Sequence, residues 1–425
     1  MSDTLRIRMY NVGFGDCFLL TLPDGKTILV DAGFHSQGKG AFSGNDLAAQ
    51  IAADVAQDSS PPRIDVVIAT HRHQDHVYAF NSNEWDGVEV GEVWMPWVED
   101  RKNKAAQNLW KKQQKFAANL ALALNGFNLD AAARDDVSFM LWNAGAEAPG
   151  SVFPAAVAGW SNAGALDCLH EGFATRDRAR PRFLPEKKEC PETFETPALP
   201  GVKIHVLGPP RDPELIEELD PEADGETYRA LALRAAAEGG AIAEAQLAPF
   251  GDEWRVKDDE PGYRLDAGEI ARLKVLARGA DALAAAHKLD DMINSTSLVL
   301  VLQIGAARLL LPGDAEWGTW KLILANEDAR ALLRGATFFK VGHHGSHNAT
   351  SKTLVEQILP KKIPAMISTQ EGEGNYRNNI PLGDLLDALT AHDIRFMRSD
   401  KPKAKFTGGF SKGAGGQWID LELPC

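Results

Sequence analysis

The sequence feature that most constrains the fold is the hexapeptide His71-Arg72-His73-Gln74-Asp75-His76. It follows Ile64 to Ala69, a short β-branched run that predicts a buried strand ending in a loop. Imidazole nitrogen and carboxylate oxygen both suit zinc or a similar divalent ion, so three histidines and one aspartate form a dense set of metal ligands. The chain holds only 11 histidines, and a histidine-rich solvated loop is the weaker interpretation. The hexapeptide therefore predicts a metal site at a strand end.

The size and charge of the chain limit the classes of protein that it can represent. At 425 residues and 44% hydrophobic composition, it can bury a large core as one domain with insertions or as two domains. The net charge of -14 argues against a protein that coats nucleic acid, because a phosphate-binding surface is normally positive. A nucleic-acid enzyme stays open, since bound metal ions would offset the carboxylates around them.

The cellular setting is predicted from what the sequence lacks. The first ten residues alternate in the manner of a strand and lack the apolar core of a signal peptide, and no segment is apolar for long enough to span a bilayer. The four cysteines are far apart and form no CxxC pair, which indicates neither a disulfide framework nor a cysteine zinc site. We expect a soluble cytoplasmic protein without a membrane partner, and the oligomeric state stays open.

Polar residues follow apolar strands at four places along the chain. Asp31 ends the third of three short strands, and the His71 to His76 loop ends the next. Gly313-Asp314 and Gly342-His343-His344-Gly345-Ser346 end two strands near the carboxyl terminus. Each half of the chain runs strands first and helices after, which predicts two similar halves that face each other.

Two long intervals interrupt this pattern, and we predict both as insertions within a single domain that spans 1–425. The first, 98–200, contains a helical segment with six basic and no acidic residues between Arg101 and Lys115. This segment is interpreted either as a solvated helix face or as a phosphate-guiding helix beside the pocket. The second insertion, 211–292, is rich in alanine and acidic residues and is predicted to be mainly helical. A basic stretch at 395–412 fits an exposed hairpin and a nucleic-acid contact equally well.

The ordered set of strand-end motifs resembles the metallo-β-lactamase superfamily. That resemblance implies an α/β fold, an αββα sandwich with a metal site along one edge. Within the superfamily, the chain looks most like the soluble hydrolase domain of the competence DNA-uptake channel proteins. The segments that carry the resemblance are Tyr10 to Asp16, Ile28 to Gly33, Val206 to Pro209, Asn294 to Leu300, Leu311 to Asp314 and His343 to Ser346.

The resemblance also implies a set of metal ligands. By motif, His71 and His73 would hold the first metal ion. Asp75 and His76 would hold the second, and Asp314 would bridge the two. The expected cofactor is Zn²⁺, as one or two ions, with Mn²⁺ as the alternative.

Further roles follow from the same resemblance. Asp31 would orient a histidine ligand, and His343 is our choice for the remaining ligand. His344 and Ser346 would contact the substrate or protonate its leaving group, and with Asp75 they are the catalytic candidates. Many superfamily members carry a further histidine ligand before the bridging aspartate. No histidine stands at an obvious equivalent here, and Asn294 is the best-placed substitute.

Three functions are compatible with these residues. The first is a metal-dependent hydrolase that uses a metal-bound hydroxide, with a phosphodiesterase or nuclease on DNA or RNA as the specific prediction. The second keeps the metal site but acts on a small ester, thioester, lactone or phosphocholine-type substrate. The third is a non-catalytic binding protein that retains the fold.

Overall fold

The structure is a computed structural model of the chain. It describes residues 4–35, 38–42, 44–56, 61–123, 162–173, 181–216, 287–346, 349–372, 380–402 and 408–425, together with a few single positions between 134 and 144. The predicted helical character of the 211–292 interval falls largely on 217–286, outside the described residues.

The described residues form fifteen strands, among them the apolar runs that were predicted before Asp31, His71, Asp314 and His343. They are β1 (Thr4–Tyr10), β2 (Cys17–Thr21), β3 (Thr27–Ala32), β4 (Arg63–Ile68), β5 (Glu89–Pro96), β6 (Arg182–Leu184), β7 (Glu192–Thr196), β8 (Leu199–Gly208), β9 (Val299–Ile304), β10 (Ala307–Leu311), β11 (Phe338–Lys340), β12 (Pro364–Ile367), β13 (Arg395–Arg398), β14 (Phe410–Lys412) and β15 (Trp418–Pro424).

The described helices lie between these strands. They are α1 (Gly44–Ala56), α2 (Gln74–Val77), α3 (Lys104–Ala123), α4 (Ala163–Glu171), α5 (Pro213–Ile216), α6 (Trp317–Ala325), α7 (Glu327–Arg334) and α8 (Gly383–Ala391). A π-helical turn spans Leu354–Ile358, and residues 287–294 are helical as well.

The strands form two mixed sheets of similar design. The order in the first sheet is β14-β15-β1-β2-β3-β4-β5-β6, and the order in the second is β13-β12-β11-β10-β9-β8-β7. In each sheet an antiparallel part adjoins a parallel part, which comprises β3 to β6 in the first sheet and β10 to β13 in the second. Open parallel sheets bind ligands beyond the carboxyl ends of their strands. Both sheets therefore offer such an edge.

Side chains along the central strands alternate between the core that separates the two sheets and the helices outside, and this alternation produces the layers of the fold. In β9, Leu300 and Leu302 belong to the core between the sheets, whereas Val299 and Val301 pack under α6, α7 and α8. β4 repeats this pattern in its second half, because Val66 and Ile68 belong to the core between the sheets while Val67 packs under α1. A strand segment whose two faces are both buried is mostly apolar, as these segments are. The predicted αββα sandwich is confirmed.

The first predicted insertion contributes to both sheets. Strand β6 pairs with the end of β5 in parallel, and β7 pairs with β8 in the opposite sheet. The carboxyl-terminal part of the 98–200 interval thus extends both sheets at one side, which the sequence pattern did not indicate. The boundaries of both insertions stay predictions.

Candidate metal centre

Four strand ends deliver the candidate ligands to one place. The His71 to His76 loop leaves β4 and turns into α2, which holds Asp75 and His76 on its single turn. Asp314 follows β10, and a short turn over His343–Gly345 follows β11. His343 and His344 both adopt left-handed backbone conformations, with φ of 44° and 52°. Such strain costs energy and persists where surrounding contacts enforce it, often at functional sites.

Asp31 fixes both the loop and one histidine. It accepts hydrogen bonds from the backbone N–H and the side-chain hydroxyl of Thr70, both at 2.7 Å. Its Oδ2 also lies 2.8 Å from Nδ1 of His76. Since a carboxylate only accepts, Nδ1 carries the proton and Nε2 of His76 points to Oδ2 of Asp314, 3.0 Å away. This is the orienting contact predicted for Asp31, whose role in metal binding stays a prediction.

Two overlapping groups of side chains could hold metal ions. In the first, His71, His76 and Asp314 each place a ligand atom within 4.8 Å of the others; in the second, Asp75, His76 and His344 do the same. All five residues are buried. The structure thus brings together five of the predicted site residues from loops more than 200 positions apart.

A third acidic group already contains a cation. Asp16, Asp31 and His76 also cluster, but the ammonium of Lys340 contacts the carboxylate of Asp16 and lies 3.4 Å from Oδ1 of Asp314. Burial opposes the charge on Lys340, yet Asp16 and Asp314 raise its pKa above the usual value. Because Lys340 neutralises Asp16, this third group is the least suited to a metal ion.

The buried atoms of the His71 to His76 loop fit a divalent cation. Nε2 of His71, Nε2 of His73 and Oδ1 of Asp75 are buried and make no hydrogen bond within the described part of the chain. Burial, with the neighbouring histidines, lowers the pKa of His71 well below its usual value, and burial lowers the pKa of His73 to about 3. Both rings are therefore neutral, the form that binds a metal. Buried polar atoms normally have partners, and a cation would supply one to these atoms.

The carboxylates of the cluster influence the other two rings differently. Burial opposes charge on His76, but Asp314 and Asp31 raise its pKa well above the usual value. Likewise, burial opposes charge on His344 while the hydrogen bond to Asp75 raises its pKa. Without a metal ion, a proton on each ring therefore balances the nearby carboxylates.

His344 is oriented as a metal ligand would be. Its Nδ1 lies 2.9 Å from the carbonyl oxygen of Ser368, which can only accept a hydrogen bond, so Nδ1 carries a proton. Its Nε2 lies 3.0 Å from Oδ2 of Asp75, and Phe14 packs on the ring at 4.4 Å. A backbone carbonyl that fixes the tautomer from behind is a common support for metal-binding histidines.

His343 occupies the more open position. Its side chain is 16% exposed, whereas that of His344 is fully buried. Nδ1 of His343 lies 3.0 Å from Oγ of Ser346, and Nε2 lies 3.5 Å from the side-chain nitrogen of Asn294. The arrangement favours His344 as the ligand and His343 as the substrate contact, the reverse of our expectation. The roles of His343, His344, Ser346 and Asn294 stay predictions.

Three residues of the cluster were missed by the sequence analysis. Asp16 follows the Gly-Phe-Gly turn after β1, within a segment that carried the family resemblance. Lys340 ends the otherwise apolar strand β11, where a buried charge was itself a signal. Asp290 lies in the predicted second insertion, and its Oδ1 is 3.3 Å from Nε2 of His73. Burial and the nearby Asp291 raise the pKa of Asp290 well above its usual value.

Comparisons with known proteins agree with this geometry. A family model described as "Metallo-beta-lactamase superfamily" matches residues 10–82, a segment that includes Asp31 and the whole His71 to His76 loop. ComE operon protein 3 of Bacillus subtilis (strain 168) is 33% identical over 109 residues, a region that covers 25% of this chain and 13% of that protein. Proteins of this superfamily typically bind divalent metal ions and are commonly hydrolases. The family match over residues 10–82, the αββα sandwich and the clustered strand-end ligands together make the chain similar to proteins of the metallo-β-lactamase superfamily.

Proposed function

We propose that the chain is a metal-dependent phosphodiesterase that acts on DNA or RNA, with Zn²⁺ or Mn²⁺ as its cofactor. The observation that supports this substrate class is the basic helix α3, which is anchored beside the metal loop. The resemblance to the hydrolase domain of DNA-uptake channel proteins agrees with it.

Contacts on both sides of the site anchor α3. The guanidinium carbon of Arg72, between His71 and His73 in the loop, lies 4.5 Å from the centre of the Trp110 ring. Arg72 is itself buried in an ion pair with Glu99, 3.0 Å apart. From the next turn of α3, the side chain of Gln113 donates to the carbonyl oxygen of Met292, at 3.4 Å. The helix therefore joins the metal loop to the segment that precedes β9.

The outer face of α3 is positively charged. Ala106, Leu109, Gln113 and Ala117 form its buried face. Six basic residues of α3 and of the turn before it are exposed: Arg101, which pairs with Asp167, and Lys102, Lys104, Lys111, Lys112 and Lys115. The spacing of Lys104, Lys111 and Lys115 puts them on one stripe opposite the buried face. In a chain of net charge -14, such a stripe suits a polyanion longer than the site itself, whereas a small ester would not reach it.

The second basic stretch gives weaker support. Arg398 is paired with Glu371 and Asp400, at 2.7 and 2.6 Å. Lys401 is 2.8 Å from Glu371. Lys403 and Lys405 lie outside the described residues. Two of the four described basic residues in 395–412 are thus paired with acids, which leaves α3 as the better candidate surface.

Different residues of the cluster would bind the metal ions, orient the metal-binding histidines and exchange a proton with the substrate. The histidines and carboxylates of the two groups would hold the cations, which when bound supply a Lewis acid and lower the pKa of water. Asp31 and Ser368 orient His76 and His344 from behind. Burial lowers the pKa of His343, so a neutral imidazole supported by Ser346 is available on the open side to exchange a proton with the substrate.

Hydrolysis of two substrate classes tests the proposal. Purified protein with Zn²⁺ or Mn²⁺ should cleave bis-p-nitrophenyl phosphate and single-stranded DNA, and Asp75→Asn should lose at least about a hundredfold of this activity because it disrupts the metal site. The matched control is Asp86→Asn, which removes an exposed carboxylate and should leave the activity unchanged.

Two outcomes would reject the proposal. Hydrolysis of p-nitrophenyl acetate or a thioester by a metal-loaded protein that leaves phosphodiesters intact would indicate a small substrate. A metal-loaded protein inert on all of them would indicate a binding protein.

A further inference from the structure

The helix at 287–294 directs two polar side chains into the metal cluster. Asp290 and Asn294 are four positions apart and therefore lie on one face of the helix. Oδ1 of Asp290 lies 3.3 Å from Nε2 of His73, and the side-chain nitrogen of Asn294 lies 3.5 Å from Nε2 of His343. Both residues are buried, with 8% and 0% of their surface exposed. Asn294 is also the residue predicted to substitute for the further histidine that this chain lacks.

The contact between Asp290 and His73 does not satisfy either group. Oδ1 of Asp290 and Nε2 of His73 are close, yet neither forms a hydrogen bond of acceptable geometry among the described residues. Nε2 of His71 is also buried without a hydrogen bond, and the ring centroids of His71 and His73 are 4.7 Å apart. Buried polar atoms that are left unpaired are destabilising. Asp290 and His73 thus present two unpaired atoms to each other, and His71 presents a third on the neighbouring ring.

The spacing of Asp290 and His73 and the chemistry of all three groups fit a shared cation. Two ligand atoms that are each about 2.1 Å from one tetrahedral metal ion lie about 3.4 Å apart, close to the 3.3 Å between Asp290 and His73. Two neutral imidazoles and one carboxylate form a ligand set that is common in catalytic zinc sites.

We propose that Asp290 is the third protein ligand of the metal ion held by His71 and His73, in place of the histidine that this chain lacks. The proposal rests on the proposed metal-dependent function, but it concerns binding and not the substrate. The segment before β9, at the end of the predicted second insertion, thereby becomes part of the metal site together with the His71 to His76 loop.

A spectroscopic variant tests whether residue 290 touches the metal. In the full-length protein loaded with Co²⁺, Asp290→Cys should produce an intense thiolate-to-cobalt charge-transfer band in the near ultraviolet, since a thiolate is a strong ligand for this ion. The matched control is Asp291→Cys, one position along the same helix, which should give the spectrum of the unmodified protein. Co²⁺ bound to Asp290→Cys without the new band would overturn the proposal.

A second variant keeps the test decisive if the cysteine variant folds poorly. Asp290→Asn preserves the shape of the side chain but weakens its ligand strength, and competition with a chelating dye should show at least about a hundredfold loss of affinity for one ion. Asp291→Asn should bind as the unmodified protein does. Equal affinity of Asp290→Asn would contradict the ligand role alone. An unmodified protein that binds no metal would instead reject the proposed function.

Discussion

His76 lies at the centre of the cluster and links its two halves. Its Nδ1 contacts Asp31 and its Nε2 faces Asp314, while His344 contacts Asp75 across the site. The carboxylates raise the pKa of both rings against the effect of burial. In the metal-free protein these rings therefore hold protons that a metal ion must displace.

Metal affinity should consequently increase with pH. The two rings stay protonated up to their raised pKa values, so below those values each displaced proton weakens binding about tenfold for every unit that the pH falls. Calorimetric titration in buffers of different ionisation enthalpy should show one to two protons released per filled cluster. His205→Gln, which changes a histidine outside the cluster, should leave this number unchanged. An affinity that does not vary between about pH 6 and pH 8 would contradict the assignment of protons to His76 and His344.

Single residues were predictable where a motif carries them. His71 to His76, Asp31 and Asp314 could be proposed because each comes at the end of an apolar strand and because their order along the chain resembles a known family. The sequence could not show which of His343 and His344 faces the metal cluster. Their orientation depends on backbone turns with positive φ and on the carbonyl oxygen of Ser368. Asp290 gave no signal, since a lone aspartate in an acidic, alanine-rich interval resembles many others.

At the scale of elements, α3 and the 287–294 helix meet over the metal loop. Trp110 of α3 covers Arg72, and Gln113 binds the carbonyl of Met292. The basic stripe of α3 thus has a fixed position relative to the ligands. The amphipathic pattern of α3 was readable in the sequence, but its location beside the loop depends on contacts across many residues.

Neutralising the lysine stripe of α3 should lower the activity on a nucleic-acid polymer but not the activity on a small phosphodiester. Replacing Lys104, Lys111 and Lys115 together by glutamine should lower kcat/KM for single-stranded DNA by about tenfold at low salt, because the association rate loses its electrostatic steering. The rate on bis-p-nitrophenyl phosphate should stay the same. Kinetics over a range of salt concentrations with both substrates provide the measurement.

The control for this variant changes lysines elsewhere. Replacing Lys187, Lys188 and Lys203, which are also exposed, by glutamine removes the same charge from other elements and should have little effect on either substrate. An equal loss on DNA in both triple variants would show that only net charge matters and would contradict a specific role for α3.

At the scale of the whole molecule, the two sheets bring distant parts of the chain to one edge. Asp31 and the His71 to His76 loop come from the first sheet, and Asp314 and His344 come from the second. The sandwich was predictable because the strand-end motifs resemble a known family and because each half of the chain runs strands first and helices after. Strands β6 and β7 were not predictable, since they are short and half-buried edge strands whose pairing depends on β5 and β8. The described residues contain no helix with the length and apolar character to cross a membrane.

The central claim is that this edge of the sandwich binds metal ions, and anomalous diffraction tests it most directly. Crystals of the full-length chain grown with Zn²⁺ should show one anomalous peak within bonding distance of His71, His73 and Asp290. A second peak should contact His76 and His344 and leave His343 uncoordinated. Fully ordered cluster side chains with no peak among them, or with peaks only at surface carboxylates, would contradict the account.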